Sequence, residues 1–270
     1  MIRPLRFPGT LAYLAAWLVP WQPVFRAQAS TGLVFFAHRR DVIGRHIAKY
    51  GAHEPLLTRW IGEHLKLRPG LFVDAGANIG WHSLHAARSG ASAVVAFEPD
   101  PFNAWLLDRN IAGNKIGNVI VVASALGEHR GTVQFHRYKA SNFGRHSAIA
   151  GDEHGSAATV PLVDLDGALD DLGLSGKPVS VLKIDVEGYE PAVIAGAART
   201  LSMTDAIALE YSPALSRAGG LSVGRMFGTL GRAGFAPFSL TADGTLAALD
   251  AKALLGIEAQ TDLIWLKRQV

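Results

Sequence analysis

Short, continuously apolar runs recur along the chain from about residue 70, and stretches with helical spacing of apolar residues separate them. The runs are "LFVDA" at 71–75, "SAVVAFE" at 92–98, "NVIVVASA" at 118–125 and "VSVLKIDVE" at 179–187. Strands that are apolar on both faces are typical of a sheet with helices on both sides. The alternation of such strands with helices predicts an open α/β sheet whose strands are mostly parallel.

Three further strands, at 205–211, 234–240 and 261–267, are predicted in the last third of the chain. Only turns and the short segment "AKALLG" separate the last two, so we expect them to pair antiparallel. The sheet is therefore predicted to end differently from its parallel centre.

The segment "LGEHRGTVQFHRY" at 126–138 is predicted to be a hairpin with its turn at Glu128–Gly131. Residues 139–156 are polar, contain glycine and lack periodicity. A loop of that length in a compact domain is usually functional or mobile.

Residues 1–50 are predicted to be an N-terminal extension, apolar at first and then helical, before a single domain at 51–270. The apolar run "LAYLAAWLV" at 11–19 is too short to span a bilayer. Two arginines precede it and "AQA" at 27–29 resembles a signal-peptidase site, so a secretory signal is one interpretation. Peripheral membrane contact through Trp17, Trp21 and Phe25 is a second interpretation, and an ordinary apolar extension is the third.

The composition of the chain excludes several classes of function. The chain has 270 residues, 49% of them hydrophobic and 18% charged, which is enough for one large domain with a real core. The formal charge is only +3 and the basic residues are spread out, so no nucleic-acid partner is indicated. The absence of cysteine excludes disulfides, thiolate metal sites and cysteine nucleophiles, and fits a cytoplasmic protein.

The stretch "FVDAGANIGWHS" has the pattern of a strand, a glycine turn and a helix, which is how a nucleotide cofactor is usually held. Gly76 and Gly80 allow the backbone to approach a ligand closely. Glu98 ends the next strand, 22 residues after Gly76, where a carboxylate can accept both hydroxyls of a ribose. These features alone fit NAD, a flavin dinucleotide or S-adenosylmethionine.

Two features favour S-adenosylmethionine. The glycine spacing is G-x-x-x-G, which breaks the dinucleotide fingerprint G-x-G-x-x-G. Asp74 also precedes the turn, where it would repel a pyrophosphate but attract a cationic ligand. The alternative is that Asp74 caps the helix and Glu98 is a solvated strand end.

A second acidic pattern, "KIDVEGYE", follows the strand at 179–187. Asp185 and Glu187 are two residues apart, so on an extended chain both side chains point the same way. Asp185 is predicted to orient the acceptor or cofactor, and Glu187 is a candidate base or metal ligand. Glu210, at the end of the next strand, and His146, in the polar loop, are further catalytic candidates. A divalent cation is left open, because it requires Asp185, Glu187 and Glu210 to converge.

The segments "FVDAGANIG", "AFEPDP", "SALGEHRGTVQF" and above all "LKIDVEGYEPAVIAGA" resemble the FkbM-type S-adenosylmethionine-dependent methyltransferases, from about residue 50 to the C-terminus. The resemblance implies a class I Rossmann-like α/β fold whose mostly parallel sheet ends in an antiparallel strand, with helices on both faces. It also implies methyl transfer to a hydroxyl, commonly of a sugar or a sugar-bearing natural product. The cofactor-binding residues predicted on this basis are Glu54, Asp74, Gly76, Ala77, Asn78, Gly80, Glu98, Pro99, Ser124, Ala125, Asn142 and Asp185.

The predicted function is therefore O-methyl transfer from S-adenosylmethionine to a small-molecule or glycan acceptor, with no nucleic-acid partner. An N-methyltransferase is one rival, although its expected Asn/Asp-Pro-Pro-aromatic motif is absent at the fourth strand. A non-catalytic cofactor-binding module is the other. Because S-adenosylmethionine is made in the cytosol, we expect a cytoplasmic protein, with attachment to the inner face of the membrane compatible.

Overall fold

The computed structural model describes residues 7–18, 21, 23–138, 148–149 and 154–268. The helices are α1 (Phe7–Leu18), α2 (Val42–Tyr50), α3 (Pro55–Leu67), α4 (Trp81–Arg88), α5 (Pro101–Gly113), α6 (Leu165–Asp171), α7 (Glu190–Ala195), α8 (Ala198–Ser202), α9 (Pro213–Ala218), α10 (Val223–Arg232) and α11 (Ala251–Leu255). The strands are β1 (Val24–Gln28), β2 (Val34–His38), β3 (Leu71–Ala75), β4 (Ala93–Phe97), β5 (Val119–Val122), β6 (Ala125–Leu126), β7 (Gly131–Tyr138), β8 (His154–Val163), β9 (Val179–Ile184), β10 (Thr204–Tyr211), β11 (Phe235–Leu240), β12 (Leu246–Ala248) and β13 (Thr261–Lys267).

An eight-stranded sheet forms the centre, in the order β12-β11-β13-β10-β9-β3-β4-β5. The strands from β10 to β5 are parallel, and β13 pairs antiparallel with both β10 and β11. This is the class I methyltransferase arrangement, so the predicted α/β fold and its antiparallel end are confirmed. The chain reverses its direction of travel across the sheet between β3 and β9, and ligands of open α/β sheets bind outside the carboxyl ends of the strands at such a point.

The central strands are apolar throughout because both faces of the sheet are covered. Along β3, Leu71, Val73 and Ala75 belong to one buried cluster and Phe72 to another on the opposite face. Every residue of β3 and of β9 is buried. The continuous apolar runs in the sequence therefore reflect two cores, one on each side of a shared sheet.

The small sheet, in the order β6-β8-β7, corrects the predicted hairpin at 126–138. The strand β7 does not pair with the residues before the turn. It pairs antiparallel with β8, while the two residues of β6 pair parallel with the other edge of β8. The physical reason is the length of the strands. With two residues, β6 could form only a few hydrogen bonds with β7, which has eight residues. The predicted loop is thus the connection between β7 and β8, although residues 154–156 belong to β8 itself.

The N-terminal residues contain a hairpin, β1–β2, that the sequence pattern did not predict. The helical part predicted at the end of the N-terminal extension is present as α2, and α3 follows after a break at Gly51–Glu54, where both bounding residues have positive φ. Residues of α1, β1 and β2 share a buried cluster with α4, β4 and α5. The division at residue 50 stays a prediction. None of the helices in the described part of the chain is both long enough and apolar enough to cross a bilayer.

Two asparagines hold the hairpin, Asn110 of α5 and Asn114, which caps the end of that helix. The side-chain amide of Asn110 accepts from Phe36 N at 2.6 Å and donates to Phe36 O at 3.2 Å. The Asn114 amide makes the same pair of bonds with Val34 N and O, at 2.8 and 2.6 Å. These amides lie one helical turn apart and match alternate residues of β2, so they pair with its edge as a neighbouring strand would.

Candidate active site

A cavity of about 340 Å³ opens at the carboxyl ends of β3, β4 and β9, where the sheet changes direction. That volume lies within the range of small-molecule sites. The predicted cofactor-binding residues that line it are Glu54, Gly76, Ala77, Asn78, Glu98, Pro99, Ser124, Ala125 and Asp185. The predicted catalytic residues that line it are Asp185, Glu187 and Glu210.

The glycine turn brings the ends of β3 and β9 into contact. Gly76 has φ +79°, and a Cβ built on it would lie 1.8 Å from the backbone oxygen of Asp185. Gly80 does not line the cavity. A Cβ there would lie 2.3 Å from Leu107, so Gly80 instead allows α4 to pack closely against α5. Glycine is therefore required at position 76 by the contact with Asp185, and at position 80 by the packing of α4 against α5.

Glu98 lies just past the end of β4, and its carboxylate is held by backbone amides. Asn78 N donates to Oε2 and Asp100 N donates to Oε1, both at 2.8 Å. The side chain is buried, and burial raises the pKa of Glu98 to about 8 in spite of these hydrogen bonds. Glu98 is thus a fixed acid facing the cavity, not a solvated strand end.

Lys183 is the buried cation of the site. Its Nζ lies 3.1 Å from Asp74 Oδ1 and 3.3 Å from Asp185 Oδ2, and it donates to Gly76 O at 3.1 Å. Burial alone would lower the pKa of the Lys183 ammonium, but Asp74 and Asp185 outweigh it and hold that pKa above its usual value. Lys183 therefore stays charged, and its ion pairs link the carboxyl ends of β3 and β9.

Asp74, like Gly80, is a predicted cofactor-binding residue that does not line the cavity. It is fully buried, and Ser83 Oγ donates to its Oδ2 at 2.6 Å, while Lys183 neutralises its charge. The prediction that Asp74 attracts a cationic ligand directly needs correction, because its charge already has a buried partner. Asp74 instead holds the ammonium group of Lys183 in place.

Asp185, Glu187 and Glu210 converge, each offering a carboxylate oxygen within 4.8 Å of the other two. The strand β9 ends at Ile184, so Glu187 reaches the cavity through a turn in which its φ is +49°, and not through extended-chain alternation. Burial, followed by the charge of Asp185 and a hydrogen bond with it, raises the pKa of Glu210 strongly. Glu210 is consequently protonated at neutral pH. Three such oxygens could also hold a hard divalent cation.

A histidine–glutamate network forms another part of the cavity wall. Glu54 Oε2 lies 2.8 Å from His82 Nε2, and Glu54 Oε1 lies 3.1 Å from His53 Nε2. Burial would raise the pKa of Glu54, but the hydrogen bonds of His53 and His82 outweigh it and lower that pKa below its usual value. The sequence pointed to Glu54 alone. His82, the second residue of α4, shows no motif that distinguishes it from His85, which is buried against Trp81.

Backbone strain concentrates at the cavity. Within the described ranges, four non-glycine residues have left-handed φ values, at Glu54 (37°), Asn78 (50°), Lys115 (55°) and Glu187 (49°). Three of them, all but Lys115, line the cavity. Such a conformation costs on the order of 1–2 kcal/mol per residue and clusters at functional sites.

Two predicted residues, Asn142 and His146, lie outside the described residues. Glu190, the last acid of "KIDVEGYE", is fully buried and does not line the cavity. Its carboxylate accepts from Gly188 N at 2.6 Å and from Ser216 Oγ at 3.2 Å, which fixes the start of α7.

Comparison with known proteins identifies one family and several solved structures whose backbone is similar. A family model for the methyltransferase FkbM domain matches residues 74–236, which is more than half of the chain. No curated protein matches the chain significantly.

Three solved structures illustrate the structural similarity. The O-methyltransferase from Bacillus cereus in complex with SAH is 9% identical, with a TM-score of 0.45 over 80% of this chain and 83% of that chain. The SAM-dependent methyltransferase from Agrobacterium tumefaciens is 10% identical, with a TM-score of 0.48 over 92% and 71%. An rRNA methylase from Streptococcus thermophilus is 11% identical, with a TM-score of 0.46 over 79% and 95%.

The family model spans the glycine turn, Glu98 and the acidic cluster, and the sheet has the matching topology. The chain therefore belongs to the FkbM methyltransferase family, whose cofactor is S-adenosylmethionine.

Proposed function

We propose that the protein transfers the methyl group of S-adenosylmethionine to a hydroxyl group of a sugar, a glycolipid or a glycosylated natural product. The observation that carries the proposal is the convergence of Asp185, Glu187 and Glu210 in the same cavity as the glycine turn. An alcohol is a weak nucleophile until a base takes its proton, and this cluster supplies one.

The cavity has a cofactor half and an acceptor half. We assign Glu98 to the ribose hydroxyls, since its carboxylate is fixed at the end of β4. We assign Ser124 and Ala125 to the edge of the adenine, and Glu54 to the cationic end of the cofactor, because its lowered pKa keeps it negative.

Bound S-adenosylmethionine supplies an electrophilic methyl carbon and its own leaving group, so the chain's residues have to position the acceptor and take its proton. Glu210 is protonated and hydrogen-bonded to Asp185, and Asp185 shares the one positive charge of Lys183 with Asp74. Glu187 is the remaining carboxylate of the cluster, and we assign it as the acceptor of the hydroxyl proton. Asp185 then orients the acceptor hydroxyl.

The charge of the cluster favours a hydroxyl acceptor over an amine. Nearby carboxylates stabilise an ammonium ion, so they would keep an amine protonated and without a lone pair for attack. A hydroxyl stays neutral and donates its proton to the same carboxylates. Glu187, Tyr189 and Gln260 also line the cavity and offer hydrogen bonds to neighbouring hydroxyls of a sugar.

The test is an assay of the full chain with methyl-labelled S-adenosylmethionine against paired acceptors: sugars and glycolipids, and the same compounds with an amine in place of one hydroxyl. We expect methyl transfer to oxygen, located by NMR of the product. Glu187→Gln should lower kcat by about 10²–10⁴-fold with unchanged affinity for S-adenosylhomocysteine. Glu63→Gln, an exposed change on α3, is the matched control and should leave kcat unaltered.

Methylation of nitrogen alone would contradict the proposal, and so would a Glu187→Gln variant that keeps the wild-type rate. Transfer to none of the hydroxyl acceptors, with the cofactor bound, would favour a binding module instead.

A further inference from the structure

The outer side of α1 is an exposed apolar surface. It consists of Leu11, Leu14, Trp17 and Leu18, continued by Trp21, and is called the α1 face below. Leu18 and Trp21 are 82% and 80% exposed, and the other three are 44–50% exposed. The face carries no charged side chain. A contiguous apolar surface of this kind marks an interaction site.

The helix holds this face outward because its other side is fixed to the fold. Tyr13 and Ala16 are buried, and the ring of Tyr13 packs edge-on against Phe25 of β1 at 5.5 Å. Lys49 of α2 lies over the other side of Tyr13, at 5.4 Å from the ring centre. The α1 face is thus a convex surface on a docked helix, with its buried side already occupied.

Basic residues predominate in the sequence of residues 1–50, acids are nearly absent from it, and Arg39 contacts the α1 face directly. Residues 1–50 contain one of the 23 acidic residues, Asp41, which is buried and caps α2. The same segment contains seven of the 26 basic residues: Arg3, Arg6, Arg26, Arg39, Arg40, Arg45 and Lys49. The guanidinium of Arg39 lies 5.1 Å from the ring centre of Trp17, and its Nη1 donates to Ala16 O at 2.9 Å.

We propose that the α1 face docks on the surface of an anionic lipid bilayer. Leucines bordered by tryptophan and by Arg or Lys are what a helix lying in the headgroup region presents, with the cations directed at lipid phosphates. A helix of 12 residues is about 18 Å long, too short to cross the bilayer but sufficient to lie in its plane.

One helix, α2, connects the helix that carries the α1 face to the active-site cavity. The helix α2 packs against α1, and its residues Val42 and Ile43 line the cofactor cavity. Membrane docking therefore brings the cavity near the lipid surface. The docking itself does not depend on the acceptor proposed above.

The test is co-sedimentation of the full chain with vesicles of phosphatidylcholine, alone or mixed with phosphatidylglycerol, at low and high salt. Wild type should bind the anionic vesicles, and less at high salt. The variant Leu14→Gln/Leu18→Gln/Trp21→Gln should bind at least about tenfold more weakly. The control Leu67→Gln/Leu255→Gln, which changes leucines that are 83% and 71% exposed elsewhere, should bind as wild type does.

Affinity for S-adenosylhomocysteine, measured in parallel, reports whether each variant is folded and is expected to stay constant. The single variants Leu18→Gln and Trp21→Gln keep the test valid if the triple variant does not fold, because both side chains are already exposed. Failure of wild type to bind anionic vesicles would overturn the proposal, as would an equal loss in the control. A wild-type dimer that the triple variant dissociates, with no vesicle binding, would assign the face to a second copy instead.

Discussion

At the scale of single residues, Glu98 shows how burial sets the response of the site to pH. Both carboxylate oxygens accept a backbone hydrogen bond, yet burial dominates and raises the pKa of Glu98 to about 8. The free protein therefore holds this group largely protonated at neutral pH. A ribose that donates two hydroxyl hydrogen bonds favours the ionised form, so binding at neutral pH releases a proton.

We therefore predict that affinity for S-adenosylhomocysteine rises as the pH increases from about 6 to 8 and then levels off. Glu98→Gln should weaken binding about 10–100-fold and remove this pH dependence, because the charge-assisted hydrogen bonds are lost. Calorimetric titration at several pH values measures both effects. An identical pH profile in the variant would show that another group is responsible.

The residues of the site differ in how far the sequence could predict them. Gly76 and Glu98 could be predicted, because the carboxyl ends of adjacent parallel strands must meet. The partner of Asp74 could not, because the register between β3 and β9 places Lys183 opposite it, and that register is not visible in the sequence. The contact between Glu54 and His82 likewise depends on how α3 packs against α4.

At the scale of elements, the β3–α4 turn is the tightest junction of the site. Gly76 has positive φ, and any Cβ there would overlap the backbone of Asp185. Backbone cannot yield as a flexible side chain can. The turn and the acidic end of β9 are therefore positioned by one close contact.

Gly76→Ala should lower the free energy of unfolding by about 2–4 kcal/mol, since it combines unfavourable φ with a steric overlap. Gly90→Ala is the matched control, because Gly90 has φ +105° but a Cβ there would meet nothing within 4 Å. We expect about 1–2 kcal/mol for that change. Urea unfolding gives both values, and equal losses would show that φ alone explains the glycine at 76.

Seven of the eight strands of the large sheet were predictable because each is a largely apolar run, whereas β12, which has three residues, was missed and taken for turns. The small sheet was not, because the adjacency of 126–138 suggested a local hairpin while β7 takes its partner from beyond the loop. The hairpin β1–β2 was missed for a related reason. It completes its edge with side chains of α5, and such a pairing leaves no periodic pattern in the strand.

At the scale of the whole molecule, the N-terminal elements are tied to the cofactor domain by a few buried polar contacts. Asn110 is fully buried, and its amide bonds Phe36 as well as Ile79 O, at 2.8 Å. Ile79 belongs to the glycine turn segment. A single side chain thus joins the N-terminal hairpin, α5 and the edge of the cofactor site.

Asn110→Ala should lower the free energy of unfolding by about 2–4 kcal/mol, because it leaves buried backbone groups of Phe36 and Ile79 without partners. Asn118→Ala removes one partly buried hydrogen bond, to Ala91 O, and should cost about 1 kcal/mol. Chemical unfolding of both variants checks the difference. Comparable losses would mean that the amide of Asn110 is not a principal tie between hairpin and domain.

The asparagine contacts also set the order in which the nascent chain can fold. Asn110 follows Phe36 by 74 residues, which a ribosome adds in roughly 4–15 s. Until then the nascent hairpin has an incomplete edge, and the apolar α1 has only its immediate neighbours to pack on. The hairpin is therefore made before α5 but completed only after it, and a chaperone or a lipid surface beside the ribosome meets α1 before the cofactor site exists.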